Sequence, residues 1–114
     1  MNMLNEHWAD IGSPEDIPVR GARVVRTSFG DVAVFRTADD EILAIEDRCP
    51  HKGGPLSQGI VHGRQVTCPL HNWVIDLMTG GVVGPDEGCA TKIPLRLVSG
   101  RIQLDLTVLA GRAA

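Results

Sequence analysis

Leu95-Arg96-Leu97-Val98-Ser99-Gly100-Arg101-Ile102-Gln103-Leu104-Asp105-Leu106 alternates apolar and polar residues on both sides of a Ser-Gly pair. Successive side chains of a strand point to opposite faces, so a period of two gives each limb one buried face and one wet face. The Ser-Gly pair supplies the tight bend, and the segment reads as an antiparallel hairpin. The same texture runs through the N-terminal part. Ala22-Arg23-Val24-Val25-Arg26, Val32-Ala33-Val34-Phe35-Arg36 and Ile42-Leu43-Ala44-Ile45 read as strands. Ser28-Phe29-Gly30-Asp31 and Ala38-Asp39-Asp40-Glu41 supply the turn chemistry between them. The one clear helix start is Ser13-Pro14-Glu15-Asp16, an N-cap followed by Pro at the first helical position, and Pro18 limits it to a single turn. The expected fold class is all-β, a small sandwich or barrel of short antiparallel strands.

Composition narrows the function. The 114 residues amount to one domain, and 43% apolar content is enough for a core. Fourteen acidic residues against eleven basic ones give a net charge of −3, which argues against a nucleic-acid groove or an anionic membrane surface. With two Trp, two Phe and no Tyr, a base-stacking platform is not expected either. No apolar run approaches the roughly 20 residues that span a bilayer. Glu6, His7 and Asp10 occupy the stretch where a signal peptide would carry a basic start and an apolar run. The expected location is therefore the cytoplasm, where thiols stay reduced. Three cysteines in such a compartment suit metal ligation or thiol chemistry better than a disulfide framework.

Between residues 46 and 90 the texture changes. Gly and Pro become frequent, and all three Cys and three of the four His fall there. We read this segment as an insertion of shaped loops carrying a site, supported by the β segments on either side. Its centre is Cys49-Pro50-His51, then sixteen residues, then Cys68-Pro69-Leu70-His71. Each loop offers one thiolate and one imidazole, a four-donor set of two soft and two borderline ligands. A structural Cys₂His₂ zinc site would use these donors, although zinc sites more often pair Cys with Cys and His with His. A two-iron, two-sulfide cluster with two Cys on one iron and two His on the other would use them as well.

The run Cys49-Pro50-His51-Lys52-Gly53-Gly54-Pro55-Leu56-Ser57-x-Gly59, followed by Cys68-Pro69-Leu70-His71, Thr79-Gly80 and Pro85, resembles a Rieske iron–sulfur protein. The resemblance implies one [2Fe–2S] cluster per chain. It implies that Cys49 and Cys68 ligate the buried iron and that His51 and His71 ligate the outer one. It further implies a single domain over 1–114, with an antiparallel β base and a cluster-binding subdomain at about 46–90. A third loop, Gly84-Pro85-Asp86, would cover the cluster from another side.

Asn72-Trp73 after the second His, and Gly84-Pro85-Asp86-Glu87-Gly88-Cys89, are similar to the small subunit of assimilatory NAD(P)H-dependent nitrite reductases. That resemblance implies an electron-carrying oxidoreductase subunit with no substrate site of its own. Its partner would be a large subunit with FAD, an iron–sulfur cluster and siroheme that reduces nitrite to ammonia. Ferredoxins of ring-hydroxylating oxygenases resemble the chain in length and ligand pattern. They form the alternative reading, and a zinc-stabilised module is a second one. The chain contains no nucleotide-binding Gly-rich motif and no nucleophile–base arrangement.

Residues around the ligands carry further expectations. Gly53 and Gly54 would let backbone N–H groups approach cluster sulfurs. Rieske proteins of respiratory complexes carry Ser and Tyr hydroxyls at the cluster and a disulfide between the loops. This chain has Trp73 and Ile75 in the corresponding stretch, and Lys52-Gly53 and Leu70 where a bridging Cys would sit. Without hydroxyl donors the reduced cluster is less stabilised, which predicts a potential toward the low end of the Rieske range, about −150 mV rather than +300 mV. Cys89 is expected as a small buried apolar residue, with a contact beneath the cluster loop as the functional alternative. His62 is expected in an exposed hairpin turn and not as a ligand. His7 and Trp8 read as a strand start and a core aromatic. Trp73 is expected to pack under the subdomain, with shielding of the cluster as the alternative, and Asp86 and Glu87 to be solvated, with orientation of a partner as theirs.

Overall fold

The computed structural model describes residues 8–51, 53–70, 72–84 and 88–109. Ten strands make up the described chain: β1 (Trp8–Gly12), β2 (Gly21–Thr27), β3 (Gly30–Arg36), β4 (Ile42–Glu46), β5 (Ile60–His62), β6 (Gln65–Thr67), β7 (Val74–Asp76), β8 (Val82–Val83), β9 (Leu95–Val98) and β10 (Arg101–Asp105). They form three antiparallel sheets, ordered β1-β10-β9, β2-β3-β4 and β5-β6-β7-β8. The all-β expectation holds. Among the described residues, no helix is long and apolar enough to cross a membrane.

The β2-β3-β4 sheet lies between two cores, and the strand pattern shows why. Val32 and Val34 of β3 join Ile42, Ala44, Ile93, Ile102 and Leu104 in one buried cluster shared with the β1-β10-β9 sheet. Ala33 and Phe35, one residue out of phase, join Ile45, Leu56, Val61, Val66, Ile75 and Leu77 in a second cluster shared with the β5–β8 sheet. With side chains alternating between faces, a strand covered on both sides must be apolar at every position. Val32 to Phe35 are all buried without measurable exposure.

The local predictions stand, with three corrections. β2 and β3 pair from Gly21↔Arg36 to Thr27↔Gly30, with Ser28-Phe29 as the turn. The C-terminal hairpin turns at Ser99 (φ 51°) and Gly100 (φ 77°), two left-handed residues as the type I′ turn of a two-residue hairpin demands. The single helical turn is a 3₁₀ turn at Pro14–Asp16; the Asp16 carboxylate accepts a 3.0 Å hydrogen bond from the Ser13 backbone N–H. The first correction concerns Trp8. It starts β1 but is half-buried at a sheet edge, with the Arg96 guanidinium 4.2 Å from its ring centroid, so it is a cation–π partner and not a core residue. The second is that the Gly/Pro-rich segment is not all loop, because it contains the whole four-stranded β5–β8 sheet. The third is that β10 ends at Asp105, one residue short of the run read from the sequence.

Two links tie the β5–β8 sheet to the base. The Arg64 guanidinium meets Glu41 at 2.8 Å. Lys92 Nζ donates a 2.9 Å hydrogen bond to the Leu77 carbonyl, and its partial burial holds its pKa below the usual lysine value.

Candidate iron–sulfur site

Two loops at one end of the β5–β8 sheet carry the predicted ligands. The first connects β4 to β5 and holds Cys49 and His51; the second connects β6 to β7 and holds Cys68. His71 lies outside the described residues, as do His7, Lys52, Pro85, Asp86 and Glu87.

The loops close by the same hydrogen-bond pattern. In the first, the Cys49 N–H donates to the Gly54 carbonyl at 2.8 Å, and the Gly53 N–H donates back to the Cys49 carbonyl at 2.8 Å. In the second, the Cys68 N–H donates to the Trp73 carbonyl at 2.7 Å, and the Asn72 N–H to the Cys68 carbonyl at 3.1 Å. In both, the residue four after the cysteine takes a left-handed conformation, Gly53 at φ 74° and Asn72 at φ 60°. Gly and Asn are the residue types that adopt it at least strain. Each cysteine is therefore gripped on both sides of its backbone by its own loop.

Both sulfurs lie at the edge of the second core, with Cys49 2% and Cys68 1% exposed. The loops approach each other there: a Cβ on Gly54 would fall 3.2 Å from Cys68 Sγ and 2.8 Å from Leu70 Cδ1. His51 stands at the rim, half-buried, with its Nδ1 buried. Its ring stacks on Trp73, centroids 4.3 Å apart and planes 11° from parallel. Among the described residues, no three His, Cys, Asp or Glu side chains converge on one point.

Asp47 and Trp73 are site residues that sequence reasoning missed or undervalued. The Asp47 carboxylate accepts from both the backbone N–H and the hydroxyl of Ser57, each at 2.7 Å, which staples the base of the first loop. Trp73 does pack against the core, as expected, but it also covers His51. His62 is exposed at the end of β5, with Nε2 2.7 Å from Thr67 Oγ1, as the turn reading anticipated.

Cys89 corrects the sequence reading, because it is exposed and not buried. The Gly81↔Cys89 bridge brings its segment beside β8, and Gly88 lies so near Pro50 that a Cβ there would be 3.0 Å from Pro50 Cβ. Cys89 thus faces an open cleft of about 480 Å³, lined also by Glu46, Arg48, Cys49 and His51. The segment does reach the first cluster loop, beside Pro50.

Fold and site together define a small all-β protein with a two-loop Cys/His site at one end. The chain belongs to the Rieske [2Fe–2S] domain family, whose model matches residues 7–94. It is an electron-transfer domain of oxidoreductase systems, and its cofactor is a Rieske-type [2Fe–2S] cluster. It is 38% identical over 76 residues to the 4beta-methylsterol monooxygenase of Methylococcus capsulatus, covering 67% of this chain and 21% of that protein. It is 27% identical over 105 residues to the ferredoxin component of the naphthalene 1,2-dioxygenase system of Pseudomonas aeruginosa, covering 91% of this chain and all of that one. Its backbone is also similar to a structure provisionally assigned as the NADH-dependent nitrite reductase small subunit of Mycobacterium tuberculosis, with TM-score 0.77, 24% identity, and 85% of this chain and 92% of that one covered.

Proposed function

We propose that Cys49, His51, Cys68 and His71 hold the cluster and that the chain is the electron-transfer subunit of a cytoplasmic, assimilatory NAD(P)H-dependent nitrite reductase. The observation that carries the ligand set is the matched closure of two loops, each presenting a cysteine sulfur sealed from water. The donor set fits the group. Two buried thiolates suit one iron, and an imidazole at the rim with its Nδ1 turned inward suits the other. In this reading residues 46–90 are the cluster-binding part of a single domain. When bound, the cluster supplies reversible one-electron transfer.

The protein's own contribution is placement. Asp47 and Ser57 brace the first loop, and backbone hydrogen bonds orient both cysteines. Core packing against Phe35, Ile45 and Ile75 keeps water from the sulfurs. Leu70, Asn72 and Gly53 are exposed in the loop turns near the histidine side, which gives an electron a short path to a docked partner. The chemistry on nitrite would reside in the large subunit with its FAD, iron–sulfur cluster and siroheme.

The choice of nitrite reductase rests on the Asn72-Trp73 and Gly84-to-Cys89 signatures. The second places Gly88 and Cys89 against the first cluster loop. Delivery of electrons to a ring-hydroxylating oxygenase is the second reading, favoured by the end-to-end match with the naphthalene dioxygenase ferredoxin. Affinity purification of the tagged chain from its native cell, grown on nitrate, separates the two. A siroheme flavoprotein should co-purify, and deleting the chain should abolish NAD(P)H-dependent nitrite reduction. Recovery of an oxygenase and its reductase instead, with nitrite reduction intact, would establish the second reading.

A redox titration gives an independent expectation. Neither Trp73 nor Ile75 carries a hydroxyl, and Ile75 is fully buried in the same core cluster as Cys68. The midpoint should fall toward the low end of the Rieske range, about −150 mV rather than +300 mV. A clearly positive midpoint would mean that other donors stabilise the reduced state.

A further inference from the structure

No disulfide joins the two ligand loops in the structure. Something else must hold the loops at fixed separation, because a two-iron cluster fails if its two halves drift apart. Among the described residues, Trp73 and Leu70 of the second loop reach the first, beside the Cys68 sulfur itself. The indole of Trp73 lies flat on the His51 ring at 4.3 Å. Leu70 covers the Cα of Gly54, so closely that a Cβ there would come within 2.8 Å of Leu70 Cδ1.

Trp73 is placed for this role by its own loop. Its carbonyl accepts the Cys68 N–H at 2.7 Å, and its ring packs against the second core. Backbone and side chain of one residue thus fix a cysteine of the second loop and the histidine of the first. A stacked imidazole has little freedom about its Cβ–Cγ bond, a torsion that is otherwise broad and soft. Stacking therefore sets which edge of His51 faces inward, and the buried edge carries Nδ1. Leu70 is 53% exposed and gains little by burial, so its contact with Gly54 is the clearest reason for an aliphatic side chain at that turn.

We infer that Trp73 and Leu70 are positioning residues that clamp the two cluster loops together without a covalent bond, Trp73 by fixing the His51 ring and Leu70 by capping Gly54. The inference rests on the proposed ligand set.

The test compares anaerobically purified wild type with Trp73→Phe, Trp73→Leu and Leu70→Ala. It follows cluster release to a ferrous chelator and the EPR spectrum after dithionite reduction. Trp73→Leu should release iron about fivefold faster and shift the EPR g-values, the size expected for loss of one aromatic pair. Trp73→Phe keeps a stacking ring and should restore the wild-type spectrum and a rate within about twofold. Leu70→Ala, at an exposed position where folding is not in question, should accelerate release about threefold, in keeping with loss of one partly buried aliphatic contact. Unchanged g-values and release rates in both Trp73→Leu and Leu70→Ala would overturn the clamp. A wild-type protein without two irons and two sulfides would instead overturn the ligand set, so the two failures are distinguishable. Thermal melts of the apo forms show whether Trp73→Leu still folds; Leu70→Ala decides the matter if it does not.

Discussion

Replacing Cys68 with Ala is expected to give a folded, colourless protein with no acid-labile sulfide, where the wild type holds about two irons and two sulfides per chain. The loss should be complete and not partial. Cys68 is 1% exposed, and its loop delivers its sulfur to the point where Gly54 of the other loop closes in. Cys89, the remaining thiol, is exposed and lines the cleft beside Cys49 and His51, not the contact between Cys68 and Gly54. The fold should survive, since trimming one sulfur from a core of this size costs about 1 kcal/mol. His71→Ala should lose the cluster or leave it labile, whereas His62→Ala should retain it, because His62 lies exposed on β5 and pairs with Thr67. Iron and sulfide assays with EPR decide each case. Full cluster content in Cys68→Ala, or loss of it in His62→Ala, would overturn the ligand assignment.

The sequence was most legible where a regular period meets one wet face. The C-terminal hairpin and the β2-β3-β4 meander follow from alternation and turn residues alone. The position of the second sheet between two cores was less legible. Val32 to Phe35 is a short apolar run, and such a run states that both faces are buried without saying by what. Of β5 to β8 the sequence showed only the hairpin turn at His62-Gly63, because strands of two or three residues are too short to display a period and the other glycines among them read as loop. At the site, ligand spacing identified the donors, but the parts that aim them come from across the fold. The stacking of Trp73 on His51 joins residues 22 positions apart, and no local pattern announces it. Cys89 was misjudged for a related reason. Free cysteines are usually buried, but this one is exposed, following Gly88 at φ 136° on a segment that runs beside Pro50.

Gly80→Ala is expected to be the most destabilising single-methyl change outside the ligands. Gly80 ends the turn after β7, where its N–H donates to the Asp76 carbonyl at 2.7 Å and its carbonyl accepts from the Ala90 N–H at 2.8 Å. Its φ of 82° is left-handed, and a Cβ would lie 2.0 Å from the Ala90 carbonyl oxygen. That neighbour is backbone, held in place by the hydrogen bond it flanks, so it cannot swing aside as a side-chain tip could. Left-handed strain of about 1–2 kcal/mol adds to overpacking of about 1–3 kcal/mol. The sum, about 2–5 kcal/mol, corresponds to a fall in Tm of about 8–20 °C for a domain of this size. Gly100→Ala separates the two contributions. Gly100 also has positive φ, 77°, but a Cβ there meets nothing within 4 Å, so it should show the strain alone and fall by about 5 °C. If the two variants melt together, the contact with Ala90 relaxes freely and contributes nothing. If Gly80→Ala falls much further, the Gly80–Ala90 pairing is rigid. That same pairing carries Gly88 and Cys89 to the side of Pro50, so the variant should also release its cluster faster than Gly100→Ala at temperatures where both remain folded.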